Sequence, residues 1–510
     1  MKLRPCVCYS ILLTLAFAGG TVGAADLPDI KAVEQHVREA RGTDPTAERA
    51  IVSYDTFDSH GVETNLRSGK DTRVSTTFGP FLTAYGVFHG QAWHQNANGQ
   101  TVLDQPAPGL EKQEPMVTTM VAISTPVTGF VISHLNKRGQ GTKEYIDSTS
   151  WHVVRRENIT ATSTTVTAYD DFRTTGGLTQ AWHWTARDGH VENNVDSHIV
   201  SDDAISVSGV DLAIPASRRN LVEFPAGKSS ESLPVRDVND QFIVHVDVGS
   251  RGLDLMLDTG ASSIVLDDVA VKQLGLKTYG AVSNAANAGR YTSSRAIVPE
   301  MKVGDLTLHD VVVNTIPHLG NDRPGLFSTV GLLGFDFIAS LVLKIDYEHQ
   351  QVTALDPASF KPPTDPLTDV LPVRLGNGQP LTDVTVNGAL GERFAIDTGG
   401  GGAVLIFDYF ARSHPEALID KSPAPLGLRQ NLGAGGAFQT RRYELASVRV
   451  GKVNFADFVA DVVTSSGSYG GRNDGVIGCK FLKLYTLYTD YQNSTLYLVP
   501  NSLGHSLIQR

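Results

Sequence analysis

Two copies of the tripeptide Asp-Thr-Gly, at Asp258-Thr259-Gly260 and Asp397-Thr398-Gly399, each follow an apolar run. Each also precedes an apolar-Gly element, Gly331-Leu-Leu-Gly334 and Gly475-Val-Ile-Gly478. A carboxylate that hydrolyses an amide through a bound water needs a second carboxylate beside it, so that one holds a proton while the other accepts one. Two copies supply the two. Held about 3 Å apart, such groups cannot both ionise cheaply, so they share one proton and titrate as a coupled pair. The water between them is the nucleophile, and the chemistry calls for no acyl intermediate, no metal and no other cofactor.

Positioning two such groups is a task for the whole C-terminal half, which is internally repeated. Leu233-Pro-Val-Arg236 recurs as Leu371-Pro-Val-Arg374 at an offset of 138, Asp258 as Asp397 at 139, and Val303-Gly304 as Val450-Gly451 at 147. The apolar-Gly element and Asp346-Tyr347 both recur at an offset of 144. Landmarks that keep their order and spacing mark a duplicated domain. Residues 242–248 and 306–313 alternate apolar and polar with period two, as strands do. Short helices are expected at 267–274, at 407–419 and directly after each apolar-Gly element. Leucine or isoleucine before each Asp anchors a strand end in the core, and Gly260 and Gly399 allow a tight turn in which backbone amides approach the carboxylate.

These motifs resemble those of the retropepsin-like and pepsin-like aspartic proteases, in which two apolar residues precede Asp-Thr/Ser-Gly and a small residue and Ser or Thr follow. Met256-Leu-Asp-Thr-Gly-Ala-Ser262 keeps that pattern throughout. Ala395-Ile-Asp-Thr-Gly-Gly-Gly401 departs from it at the last position. The resemblance covers roughly residues 233–500. It implies a mainly β, bilobal pepsin-like region, a duplicated retropepsin-like β-barrel, with Asp258 and Asp397 as the catalytic pair. It also implies that Thr259 and Thr398 exchange hydroxyl hydrogen bonds across a pseudo-twofold axis, and that one chain, as a monomer, completes a site for a protein or peptide substrate. Ser262 is expected to donate to Asp258 and favour its charged form, whereas Gly401 offers no such donor. Asp397 is therefore the expected seat of the shared proton, and a Gly401→Ser variant is expected to move the acidic limb of the pH-rate profile downward. The family's flap over the cleft has two candidate hairpins, 285–294 with Gly289 and Tyr291, and 432–438 with Gly433, Gly435 and Gly436.

Upstream, residues 25–217 read as a separate β-rich domain opened by an amphipathic helix at 30–41, with hairpin signals at Asn98-Gly99 and Asp188-Gly189. All four tryptophans lie here, and Gln91-Ala-Trp-His94 is echoed by Gln180-Ala-Trp-His183. One helix followed by many strands looks like the periplasmic lipoprotein-carrier family, whose curved sheet holds acyl chains. Two alternatives to an endopeptidase therefore stand: a silent protease-like cleft that binds peptides, and a lipid-binding periplasmic protein acting through this region.

Residues 1–24, basic then apolar then small, have the order of a secretory signal peptide, which predicts export to the periplasm or medium and no membrane span once it is removed. Cys6 and Cys8 leave with it, so Cys479 remains as a small buried filler with no partner for an internal disulfide. A net charge of −11 and a pI near 5.7 give no basic footprint for nucleic acid. The layout is completed by a linker at 218–232, a first lobe at 233–355, a proline-rich linker at 356–369 and a second lobe at 370–510.

Overall fold

The computed structural model describes residues 27–104, 115–137, 139–160, 163–218, 221–286, 289–317, 329–376, 378–419, 426–433, 436–464 and 473–508. The fold is mainly β: a β-rich N-terminal region followed by a bilobal region.

The N-terminal region is built on one 13-stranded antiparallel sheet. Its first strand, Ala47–Asp55, pairs with its last, Val195–Asp203, so the chain leaves the middle of the sheet, visits both edges and returns. The helix Ile30–Arg41 is started by the Asp29 side chain, which accepts from the amide of Lys31. Its Val33 is fully buried against Ile132 and Ile146, with Phe130 and Trp151 alongside. Among the described residues no helix is long and apolar enough to cross a membrane.

Each C-terminal lobe has its own sheet, and a third, six-stranded sheet joins them. In that third sheet Val342–Asp346 from the first lobe runs antiparallel to Tyr485–Asp490 from the second, with Lys344 opposite Tyr488. These two residues are repeat counterparts, 144 apart. A residue paired with its own counterpart is what a twofold axis through the strand pair requires, so the duplication seen in the sequence is a symmetry of the fold. One large apolar core runs through both lobes, from Leu221 to Leu498, and takes in Val102 from the N-terminal sheet, while Phe407, Phe438 and Val463 form a smaller cluster in the second lobe.

The expected helices are shorter than the sequence suggests: Asp268–Gln273, Asp408–Ser413 with a 3-10 turn at Pro415–Leu418, and single turns at Phe335–Ile338 and Cys479–Leu482. His414 alone separates the second helix from its 3-10 turn, since the residue before a proline, here Pro415, is disfavoured in the helical region. The segment 218–232, expected as a linker, carries strands: Val222–Glu223 extends the first-lobe sheet and Ser230–Ser232 edges the joining sheet.

The N-terminal sheet docks on the first lobe through polar side chains that reach across more than two hundred residues of sequence. Asn98 accepts from the Val312 amide at 2.8 Å and donates to the Val312 carbonyl at 2.9 Å, so one carboxamide completes a strand edge. Asn96 donates to Asp336 Oδ1 at 2.9 Å, and Gln100 donates to the Asp336 carbonyl at 2.8 Å. Asp336 Oδ2 in turn accepts from the Ile264 amide, six residues beyond Asp258. Elsewhere, Asn193 exchanges two hydrogen bonds with the Ser283 backbone, and Phe81 meets Tyr279 edge to face.

Burial raises the Asp336 carboxyl to about 6, against the amides and carboxamides that hold it down. The folded value lies above the unfolded one, so this group's stability contribution is full below about pH 4 and is lost as pH rises to about 6, an amount of about 2–3 kcal/mol. An Asp336→Asn variant removes that dependence. Wild type should therefore lose stability relative to the variant between pH 4 and pH 6.5 in urea unfolding; parallel pH profiles would contradict it.

Candidate active site

Each Asp-Thr-Gly sits where a strand ends beside the apolar-Gly strand of its own lobe. Arg251–Leu257 runs parallel to Gly331–Leu333, and Ala389–Asp397 runs parallel to Gly475–Gly478. Parallel neighbours with no turn between them are rigid supports, and the short helix that follows each one grips the loop from behind. The amide of Phe335 donates to the Ala261 carbonyl at 3.0 Å, and that of Cys479 donates to the Gly400 carbonyl at 2.8 Å. Cys479 is fully buried, and burial pushes its thiol up to about 12, which keeps it protonated and inert.

The two loops interlock through their threonines, both buried. The Thr259 hydroxyl accepts from the Thr398 amide at 3.0 Å and donates to the Ile396 carbonyl at 2.6 Å. The Thr398 hydroxyl does the same in return, with the Thr259 amide at 3.1 Å and the Leu257 carbonyl at 2.9 Å. The hydroxyls bridge to the opposite backbone rather than to each other, which satisfies four main-chain groups instead of two side chains.

This lock brings Asp258 and Asp397 together. A Cβ on Gly260 would stand 2.7 Å from Asp397 Oδ1, and one on Gly399 would stand 2.5 Å from Asp258 Cγ. Each carboxylate thus occupies the space that the opposite glycine leaves free. Gly399→Ala should displace the Asp258 carboxylate and lower any turnover by about 100-fold, since small misplacements of reacting groups cost that much. The check is kcat in a variant whose unfolding midpoint is retained.

Burial raises the carboxyls of both Asp258 and Asp397, that of Asp258 furthest. Burial is the largest cause in each case, and the neighbouring Asp397 charge adds to it at Asp258. Three backbone amides favour the charged form of Asp397, Gly399 at 2.8 Å, Gly400 at 3.0 Å and Gly260 from the other loop, whereas two, Gly260 at 2.8 Å and Ala261, favour that of Asp258. The better-solvated carboxylate keeps the charge, so the shared proton belongs on Asp258. This reverses the expectation from sequence, for two physical reasons. Ser262 is exposed and, among the described residues, has no hydrogen bond to Asp258. A Cβ on Gly401 would lie 3.8 Å from the Gln241 carboxamide and is not directed at Asp397, while the amide of Gly400 supplies the donor that a serine was expected to give.

Gly289 and Tyr291 lie on Gly289–Val303, which pairs with Thr278–Ala286; Gly433 ends Leu428–Gly433, which pairs with Gly436–Val450. The two flap candidates are therefore counterpart hairpins of the two lobes. Gly435 lies outside the described residues. Burial raises the Tyr291 phenol above its ordinary value.

Two residues beside the loops lie outside the sequence motifs. Gln241 donates through its carboxamide nitrogen to the Gly399 carbonyl, and Gln379 donates to the Gly260 carbonyl. Their separation of 138 residues equals that of the Leu-Pro-Val-Arg pair, and that shared offset was the signal that could have found them.

Two duplicated β lobes with interlocked Asp-Thr-Gly loops define an aspartic-protease fold. The family model for aspartyl protease matches two segments of the C-terminal region, residues 244–337 and 382–481, one in each lobe. Among solved structures, Basic 7S globulin from soybean is similar at 11% identity, over 54% of this chain and 96% of that one, with a TM-score of 0.33. No curated protein matches this chain.

Proposed function

We propose that this chain is an exported, single-chain aspartic endopeptidase that hydrolyses peptide bonds with a water activated between Asp258 and Asp397. The observation that supports it most is the mutual seating of each carboxylate against the opposite loop's glycine, beneath the crossed threonines. In this reading Asp397, ionised, takes a proton from the water as its oxygen bonds to the peptide carbonyl carbon. Asp258 gives its proton to the carbonyl oxygen. The tetrahedral diol then collapses: Asp397 passes its proton to the leaving nitrogen, the C–N bond breaks and a hydroxyl proton returns to Asp258. Export rests on the leader-like residues 1–24.

The test is incubation of the purified chain with a peptide library from acidic to neutral pH, beside Asp258→Ala. Cleavage that disappears in the variant is the expected result. Peptide binding without cleavage by either protein would favour a silent cleft instead.

A further inference from the structure

Each lobe lends a glutamine to the other lobe's acidic loop. Gln241 opens the strand Gln241–Val248, and Gln379 opens Gln379–Val386; each strand pairs with the one that leads into its own lobe's Asp-Thr-Gly loop. Both side chains then cross the lobe boundary in the opposite sense, Gln241 to the Gly399 carbonyl and Gln379 to the Gly260 carbonyl. The receiving glycines are the ones whose amides bind Asp397 and Asp258, respectively, and whose missing side chains make room for the opposite carboxylate. One glycine therefore sets the place of both carboxylates, and one carboxamide holds each glycine.

The carboxamides are themselves oriented. Gln241 is only 5% exposed and also donates to Met256 Sδ at 3.4 Å. Gln379 Oε1 accepts from Asn473 Nδ2 at 2.9 Å, which commits its nitrogen to Gly260. A carboxamide is the side chain that can serve here: it donates to a carbonyl, brings no charge near two coupled carboxyls, and reaches over a strand end.

Resting on the hydrolase reading above, we propose that Gln241 and Gln379 are reciprocal positioning residues, whose carboxamides hold the two glycine peptides and so set the spacing of Asp258 and Asp397. Both act through those glycine carbonyls. The prediction concerns the rate and proton affinity of the pair rather than substrate binding.

The test uses the full chain with Gln241→Glu and Gln379→Glu, which keep shape but donate only when the introduced carboxyl is protonated. Gln241→Met and Gln379→Met keep length with no donor, and serve where an ionised carboxyl prevents folding. With a peptide that the wild type cleaves, kcat should fall about 10-fold or more at the neutral end while KM stays within about twofold. The Glu variants should recover towards acid pH, and the Met variants should not. Independently of any substrate, carboxyl-carbon NMR titration should show the apparent pKa values of the Asp258 and Asp397 pair moved in every variant. Folded variants with an unmoved pair titration and wild-type kcat would overturn the proposal. A wild type that cleaves nothing, with variants whose pair titration still moves, would remove the hydrolase reading and leave the positioning role standing.

Discussion

Asp258→Asn and Asp397→Asn should each lower peptide hydrolysis by roughly 10²–10⁴-fold, the range that positioned proton transfer contributes. The losses have different origins. Asparagine at 397 cannot take the water's proton, and asparagine at 258 cannot surrender one to the carbonyl oxygen. The wild-type profile should be bell-shaped: activity falls in acid as Asp397 becomes protonated, and falls towards neutral pH as Asp258 gives up the proton that burial and its neighbour raise above the ordinary carboxylate range. Neither variant should be less stable at neutral pH. Both folded carboxyls titrate above their unfolded values, so their contribution is full below the ordinary carboxyl pKa and is lost as pH rises. Kinetics across pH 3–7 with unfolding midpoints for the same samples check this; a variant that keeps wild-type turnover would contradict the assignment.

Thr259→Val should be the most destabilising of the conservative changes at the site. It preserves shape but removes the hydroxyl that accepts from the Thr398 amide and donates to the Ile396 carbonyl. At about 1–3 kcal/mol for each buried unsatisfied group, the cost is roughly 2–6 kcal/mol. Thr398→Val should cost a similar amount through the Thr259 amide and the Leu257 carbonyl. The double variant should cost less than the sum, because each single change already loosens the shared interlock. Urea unfolding of the three proteins measures this. A cost near zero for either single change would mean that the loops do not depend on the lock.

What was legible in the sequence was whatever the chain repeats. The two Asp-Thr-Gly triplets, the apolar-Gly partners and the offsets between them carry the bilobal fold, because duplication writes the same constraint twice. The register of Lys344 against Tyr488 is the three-dimensional form of one of those offsets. Contacts between non-repeated parts left no such trace. Asn96 and Asp336 lie 240 residues apart, and no local pattern announces that an asparagine at a hairpin will meet a carboxyl behind a distant loop. The proton assignment failed for a related reason. Side-chain donors can be counted from a sequence, whereas the amide of Gly400 and the outward turn of Ser262 depend on backbone path. Gln241 and Gln379 fall between these cases: their spacing was visible, but their purpose emerges only when the lobes face one another.

Asp258 and Asp397 should act as one acid-base unit that holds a single proton. Neutron diffraction from a deuterated crystal grown near the pH of maximum activity tests it most directly. One deuteron is expected between the two carboxyls, bonded to Asp258, with Asp397 bare and held by the amides of Gly399 and Gly400. Two separately deuterated carboxyls, or side chains standing apart with no shared hydrogen bond, would contradict it.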